Sequence, residues 1–155
     1  MNTLARTLLG LVALAQVEVG AWGEAAPHSF YENFPGFGRH WVSPIGAYDD
    51  HLIRDYASAE IGLAVLLACA AIWFTRQVVL IAGAAFLAGT LPHFIFHLTT
   101  TDKLPAVDNA LSLGAFVAEM VLVAAAMAIV LRPQRRPSWH ESNQPSHADS
   151  TPSAV

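Results

Sequence analysis

Charged residues are scarce in this chain of 155 residues, since Asp, Glu, Lys and Arg together make up only 13% of it. A soluble domain carries about 25%. Hydrophobic residues make up 54%, which excludes disorder of the whole chain because disordered chains are poor in apolar residues. The net charge is −4, whereas proteins that bind nucleic acids carry an excess of basic residues. These shortages predict an integral membrane protein that binds no nucleic acid.

Cysteine is nearly absent, because Cys69 is the only one in the chain. Its place inside an apolar segment excludes a disulfide framework and any CxxC metal or redox motif. The sequence also lacks a recognisable nucleophile–base–acid arrangement. It therefore favours a non-enzymatic protein.

The apolar residues fall into four segments, each long enough at about 1.5 Å per residue to cross a hydrocarbon core of about 30 Å. They predict an all-α fold, an integral membrane four-helix bundle that forms one transmembrane domain over residues 1–132. The expected helices cover residues 4–22, 56–75, 78–98 and 109–131, with an outer loop over 23–55. Residues 133–155 are rich in Pro, Ser, His and Asn, which predicts a disordered cytoplasmic tail.

The first apolar segment has an alternative interpretation as a signal peptide. It carries the small-x-small pattern Ala21-Trp22-Gly23 that a cleavage site requires. Glu18 and the bulky Trp22 are unusual beside such a site, and the apolar stretch is long. We therefore expect a retained helix.

Basic residues predict the orientation, because cytoplasmic loops of membrane proteins carry an excess of Lys and Arg. More of them lie on the side of the two termini than on the opposite side: Arg6, Arg76, Arg132, Arg135 and Arg136 against Arg39, Arg54 and Lys103. We expect a multi-pass protein of the plasma membrane with the N- and C-termini in the cytoplasm.

Polar residues inside the apolar segments mark the candidate site, because a charged group at mid-membrane costs about 2.5–3.5 kcal/mol. In the expected orientation, most of them gather near the outer leaflet: Glu18, Glu60, His93, His97 and Asp108. Helical spacing places small and polar residues on one stripe of each of the last two segments, which we expect to face the bundle interior. The stripes are Gly83, Phe86, Thr90, His93 and His97, then Asp108, Ser112, Ala115 and Glu119.

His93 and His97 are spaced i and i+4, so both project from one helix face and are candidate ligands of a metal ion or a haem. The residues between them are Phe94, Ile95 and Phe96, so the HExxH motif and its built-in general base are missing. The alternative is that both histidines hydrogen-bond to acids or meet lipid headgroups. Further candidate metal ligands are Glu60, His51, Asp108 and Glu18.

A charged segment leads into the second apolar segment. Asp50 with Arg54, and His51 with Asp55, form i,i+4 pairs if this stretch is already helical. Acids at a helix start also complement its dipole, so these residues have a sufficient structural account.

Arg54, Asp55 and Glu119 nevertheless form a further candidate polar cluster. In this alternative, Arg54 anchors an anionic group, or it pairs with Glu60 and Asp108.

The segment from residue 34 to 41 combines aromatic residues with a proline and two glycines. The glycines and the proline predict a specific turn. Its aromatic residues suit an anchor at the membrane interface, and a lid over a ligand is the alternative.

Three motifs together resemble small actinobacterial four-helix membrane proteins whose function is not assigned. The resemblance covers residues 34–131, and their layout is similar to that of the DoxX-like group. It implies a four-helix fold, and some members of that wider group are associated with quinone-linked or oxidative-stress processes. The motifs are Pro35-Gly36-Phe37-Gly38-Arg39-His40-Trp41, Tyr48 with His51-Leu52-Ile53-Arg54-Asp55, and Pro92-His93-Phe94-Ile95-Phe96-His97.

The sequence thus predicts a binding or structural component of the membrane, with a polar cluster at the outer leaflet. Its expected partners are the lipid bilayer and either another membrane protein or a second copy of this chain. One alternative is a redox protein that binds a metal or haem through His93 and His97. Another is a small ion or proton transporter in which Glu119, Glu60 and the two histidines form the path.

Overall fold

The computed structural model describes residues 2–132 and shows an all-α bundle. The tail predicted for residues 133–155 lies outside the described residues. In chain order the elements are α1 (Asn2–Ala25), α2 (Pro27–Asn33), β1 (Pro35–Gly36), β2 (Arg39–His40), α3 (Asp50–Trp73), α4 (Arg76–Thr99) and α5 (Ala106–Leu131).

Local capping sets where α3 and α4 begin. The Asp49 side chain accepts a hydrogen bond from the Leu52 backbone N–H at 3.1 Å, and Thr75 caps α4 through Val78 at 3.3 Å. Because Asp49 caps it, α3 begins at Asp50 and not at the expected residue 56. The charged segment before the second apolar segment is therefore helical.

Four helices, α1, α3, α4 and α5, are long and apolar enough to cross a membrane. Their outward surfaces carry large apolar side chains, such as Leu14 and Ile72, which each expose 67% of their surface. Such a surface would be unfavourable in water, whereas lipid accommodates it. The expected multi-pass membrane protein is confirmed at this level.

The four long helices form a ring in which α1 packs against α3 and α5, and α4 packs against the same two helices. The contact between α1 and α3 is close because Gly20 and Gly23 of α1 face Ala57 of α3. A Cβ atom at Gly20 would lie 2.8 Å from the Ala57 carbonyl oxygen, and one at Gly23 would lie 2.7 Å from the Ala57 Cβ. Small residues are what allow membrane helices to approach in this way.

Connectivity gives the bundle two different ends. The end that we call the turn end holds the tight connection from α3 to α4, where Phe74 adopts a left-handed conformation with φ of 42°. The opposite end, the loop end, holds residues 26–49 and the loop over residues 100–105. Arg6 ties α1 to the turn end, because its Nη1 donates to the Ala71 and Ile72 carbonyls at 2.8 and 2.6 Å.

The interior differs between the two ends. Towards the turn end it is a packed apolar core, in which Phe86 is fully buried. The core consists of Ala5, Leu9, Val12, Ala13, Leu67, Ala70, Val79, Ala82, Phe86, Val123 and Ala126. Towards the loop end, the buried residues include polar ones: Gln16, Glu60, Thr90 and Ser112.

Residues 26–49 fold over the loop end, and we call this segment the cap. It contains α2 and an antiparallel hairpin of β1 and β2, in which Gly36 pairs with Arg39. Phe37 and Gly38 at the hairpin turn have φ of 57° and 72°, as a type I′ turn requires. The Phe37 side chain is fully exposed at the hairpin tip. The specific turn expected from the glycines is therefore present, while the interfacial anchor stays a prediction.

Candidate functional site

The polar half of the bundle contains a half-open cavity of about 690 Å³ that extends from the middle of the helices to the underside of the cap. We call it the cavity. Its volume lies within the range of small-molecule sites, about 300–1,000 Å³. The polar and ionisable side chains that line it are Gln16, Tyr31, Asp49, Tyr56, Glu60, Thr90, His93, His97, Ser112 and Glu119.

Two carboxyl groups form the inner part of the cavity. Glu119 lies about 20 Å from the start of α5 at 1.5 Å per residue, and its Oε2 accepts a hydrogen bond from Gln16 Nε2 at 3.1 Å. Glu60 is 9% exposed, and its Oε2 has no hydrogen-bond partner among the residues that the structure describes. A buried carboxyl oxygen without a partner is costly.

His93 and His97 line the cavity nearer the loop end, and their Nε2 atoms lie 3.1 Å apart. One imidazole must donate and the other must accept in such a hydrogen bond. The pair therefore does not carry two positive charges in this arrangement. Phe116 packs against both rings, with centroid distances of 5.0 and 5.2 Å, and Tyr56 meets His93 edge-on at 5.5 Å.

The cap closes the cavity with aromatic rings. Phe34 and Trp41 line it and pack edge-to-face at 6.0 Å. Trp41 Nε1 donates to Asp108 Oδ1 at 2.9 Å, and Arg39 Nη1 donates to the same oxygen at 2.5 Å. Asp108 belongs to α5, so this carboxylate fastens the hairpin of the cap to the bundle. We call the three residues Arg39, Trp41 and Asp108 the clamp.

Further contacts order the rest of the cap. Tyr31 Oη donates to the Gly46 carbonyl at 2.8 Å, and the Tyr31 and Tyr48 rings lie 5.3 Å apart. Tyr48 Oη donates to Asp50 Oδ1 at 2.8 Å. This hydrogen bond raises the pKa of Tyr48 above its ordinary value, because it stabilises the protonated phenol beside a carboxylate.

Four of the candidate site residues identified from the sequence share the cavity: Glu60, His93, His97 and Glu119. They come from α3, α4 and α5, which face one another in the ring. The buried stripe residues Thr90 and Ser112 line it as well. For these positions the helical spacing correctly predicted which face points inward.

The other candidate metal ligands do not join the histidine pair. Glu18 lies on the exposed surface of α1. His51 is 87% exposed in its side chain and pairs with Asp55, with 3.5 Å between Nε2 and Oδ2. Asp108 belongs to the clamp. The reason is geometric, because residues at similar depth on neighbouring helices can still point in different directions.

Arg54 does not pair with Glu60 or Asp108, as one interpretation of the sequence suggested, but binds groups of α1 and α3 instead. Its Nε donates to Asp50 at 2.8 Å, and its Nη1 donates to the Glu24 carbonyl at 2.5 Å. The Glu24 carboxylate lies 3.6 Å from the same Nη1. Arg54 thus joins α1 to α3, and the i,i+4 pairs that the sequence predicted are present.

Sequence reasoning did not assign site roles to Gln16, Tyr56 or Phe116, and it named Arg39 and Trp41 only as part of the segment from residue 34 to 41 that could form a lid over a ligand. Gln16 interrupts the first apolar segment, and that interruption was the available signal. The two aromatic residues of α3 and α5 looked like ordinary membrane-helix residues. The clamp pairs residues 69 and 67 positions apart, which no local spacing indicates.

The described side chains do not provide a complete set of protein ligands for a metal ion or for a metal cluster. Within residues 2–132, no group of three or more His, Cys, Asp or Glu side chains could hold a metal ion together. Among the candidate ligands in the described residues, only the Nε2 atoms of His93 and His97 lie close enough together to share one ion.

Comparisons with known proteins found no relative of this chain. No protein-family model, no curated protein and no solved structure matches it. The resemblance to actinobacterial and DoxX-like membrane proteins therefore stays a prediction, and function has to be argued from the cavity. What is established is an all-α bundle with four helices able to span a membrane.

Proposed function

We propose that this protein is a non-enzymatic membrane protein that binds a small molecule in the cavity between the four long helices. The observation that carries this proposal is the contrast between the two halves of the bundle. The interior near the turn end is packed with apolar side chains, and the hollow of about 550 Å³ in that half is an apolar groove on the outer surface of α1 and α3. The hollow of about 690 Å³ near the loop end lies among the four helices and has a polar lining.

Packing alone gives no reason for such a cavity. Filling it with apolar side chains would gain dispersion energy and would remove a buried carboxyl oxygen that has no partner among the described residues. Ionisable residues inside membrane bundles mark sites of function more often than sites of stability. An apolar cavity with a few converging polar groups is the usual form of a small-molecule site.

Substitution of Ser112 tests the proposal, because Ser112 is 4% exposed and lines the cavity. In the Ser112→Phe variant, a benzyl group occupies part of the space, and we expect bound small molecules to fall by roughly tenfold. The measurement is mass spectrometry of organic extracts from protein purified in detergent, normalised to protein amount and compared with the unmodified protein.

Val117→Phe is the matched control, since Val117 lies on the same helix with 45% of its surface exposed. It introduces the same side chain on the outward surface and should leave the extract unchanged. An identical set and amount of small molecules in all three proteins would contradict the proposal.

We also propose that the chain resides in the plasma membrane with both termini in the cytoplasm, so that the cap faces outward. The excess of Arg at the turn end supports this orientation. In a Cys69→Ala background, we expect a cysteine at Asp102 in the loop end to react with a membrane-impermeant maleimide on intact cells. A cysteine at Gln77, which is exposed at the turn end, should react only after lysis. The reverse pattern would overturn the orientation.

A second candidate function is the binding of a single metal ion, which the convergence of the two Nε2 atoms favours. An ion such as Zn²⁺ bonds to imidazole nitrogen at about 2.0–2.1 Å, so tetrahedral binding would hold two nitrogens about 3.4 Å apart. The observed 3.1 Å is close to that value. It suits one ion better than a haem, whose axial ligands approach from opposite faces.

For this candidate, elemental analysis should find about one equivalent of metal that is lost in the His93→Ala/His97→Ala variant. His51→Ala is the control, because His51 lies outside the cavity and is exposed. Protein that carries no metal after growth and purification with added Zn²⁺ would remove this candidate and leave the small-molecule proposal in place.

A further inference from the structure

We propose that the ligand of the cavity is a lipophilic organic cation, held by the carboxylates of Glu60 and Glu119 beneath a roof of aromatic rings. This inference rests on the proposed function, because it names the chemical class of the molecule that occupies the same site.

The charge of the lining gives the first argument. Among the described residues that line the cavity, Glu60 and Glu119 are acids within the bundle, Asp49 is an exposed acid that caps α3, and none is Lys or Arg. The nearby guanidinium groups of Arg39 and Arg54 already bond to Asp108 and to Asp50. Walls of low dielectric constant strengthen the field of such a one-sided set of charges.

The hydrogen bonding of the two buried glutamates gives the second argument. Glu119 accepts a hydrogen bond from Gln16, whereas the Oε2 of Glu60 is buried with no hydrogen-bond partner among the described residues. A buried carboxylate requires a compensating charge or donor. Because the Glu60 side chain also lines the cavity, a cation in the cavity supplies that charge.

The histidine pair does not oppose a cation. His93 and His97 hydrogen-bond to each other through their Nε2 atoms, which requires one of these atoms to be unprotonated. The pair therefore presents imidazole rings and not two positive charges.

Aromatic rings give the third argument. Tyr56 and Phe116 lie beside the histidines, and Phe34, Tyr31 and Trp41 contribute rings from the cap. Cations bind favourably over the faces of such rings, and the gain grows when water is excluded. The apolar remainder of the lining suits the hydrocarbon part of the same ligand, so charge and bulk are recognised in one cavity.

A pair of ions with the same shape and opposite charge tests the inference. Tetraphenylphosphonium and tetraphenylborate each carry four phenyl groups around one central atom. The full chain is placed in phosphatidylcholine nanodiscs, and binding of each radiolabelled ion is measured after subtraction of empty nanodiscs. We expect saturable binding of the phosphonium and at least about tenfold weaker binding of the borate.

Isosteric variants locate the charge that selects the cation. Glu60→Gln and Glu119→Gln should each weaken phosphonium binding by roughly tenfold. Glu18→Gln is the matched control, since Glu18 is a glutamate on the exposed surface of α1, and its affinity should be unchanged. Size-exclusion profiles of all variants establish that they remain folded, and a glutamine variant that aggregates is replaced by Glu60→Met or Glu119→Met, which also removes the charge.

The outcomes separate this inference from the proposed function. Equal binding of both ions, together with loss of both in Ser112→Phe, overturns the cation and leaves a charge-blind binding cavity. Absence of phosphonium binding, or binding that is the same in Glu60→Gln and Glu119→Gln as in the unmodified protein, also overturns it. Binding of both ions that Ser112→Phe leaves unchanged also overturns the cation, because the ions then bind outside the cavity, and the proposed function is decided separately by the extracts of Ser112→Phe and Val117→Phe.

Discussion

Alanine at Gly20 is expected to destabilise the bundle by about 2 kcal/mol, within the range of over-packing in closely packed interiors. The added Cβ would lie 2.6 Å from Ile61 Cγ1, 2.8 Å from the Ala57 carbonyl oxygen and 3.0 Å from the Ile61 nitrogen. Two of these three atoms belong to the backbone of α3, so a side-chain rotation does not relieve the contact. The helices α1 and α3 must separate, and the packing on both sides of Gly20 loosens.

Thermal unfolding in detergent, followed by size-exclusion chromatography after heating, measures this effect as a lower midpoint temperature. Gly10→Ala is the control on the same helix, because nothing lies within 4 Å of a Cβ atom at Gly10. Alanine also favours the helix over glycine, so Gly10→Ala should be neutral or slightly stabilising. Equal midpoints for the two variants would show that the close contact of α1 with α3 does not limit stability.

Alanine at Gly83 is expected to lower the unfolding midpoint by an amount between those of Gly10→Ala and Gly20→Ala. A Cβ atom there would meet the Met127 side chain and not a backbone atom. Methionine is flexible and re-packs readily, so Gly83→Ala should lower the midpoint less than Gly20→Ala does. The order of the three variants then follows from what each Cβ meets.

Removal of the Asp108 carboxylate is expected to free the hairpin of the cap from the bundle. In Asp108→Ala, both Trp41 Nε1 and Arg39 Nη1 lose their acceptor, and a cationic and a neutral donor are left without partners at once. We expect amide hydrogen exchange in residues 34–42 to accelerate by about tenfold. Exchange within α3 and α4 should change little, because the clamp does not contribute to the apolar core.

Two variants sharpen this measurement. Asp108→Asn keeps an oxygen that accepts from Trp41 and loses the ion pair with Arg39, so it should fall between the two extremes. Asp102→Ala is the control for the loss of an acid near the loop end, since Asp102 is 75% exposed in its side chain. If the cap of Asp108→Ala exchanges as slowly as that of the unmodified protein, other contacts such as Tyr31 with Gly46 hold the cap in place.

The cap links the two proposals, because it forms the roof of the cavity and contributes four of its aromatic rings, those of Phe30, Tyr31, Phe34 and Trp41. A freer hairpin should therefore release a bound cation faster. The dissociation rate of tetraphenylphosphonium from Asp108→Ala connects the clamp with ligand binding. The clamp acts on the ligand only by positioning Trp41 and the hairpin, so its loss should alter rates more than the preference for positive charge.

The number of membrane helices followed from the sequence alone, as did the inward faces of the last two, whereas the start of α3 at Asp50 did not. Four apolar segments of spanning length leave a chain few other ways to satisfy its backbone in lipid. The stripe that contains Thr90 and His93 could be predicted because residues three and four apart share a helix face. The i,i+4 pair of Asp50 with Arg54 could be predicted for the same reason.

Only the tertiary structure decided which polar groups meet. Gln16 and Glu119 are 103 positions apart, and Glu18, at a similar depth in the membrane, points away from the bundle. The difference is set by the rotation of α1 about its axis, which the close contact of Gly20 with Ala57 fixes. Hydropathy records how deep a residue lies but not which neighbour its helix turns towards. For that reason the sequence determined the bundle, while the packing of one helix against another determined the cavity.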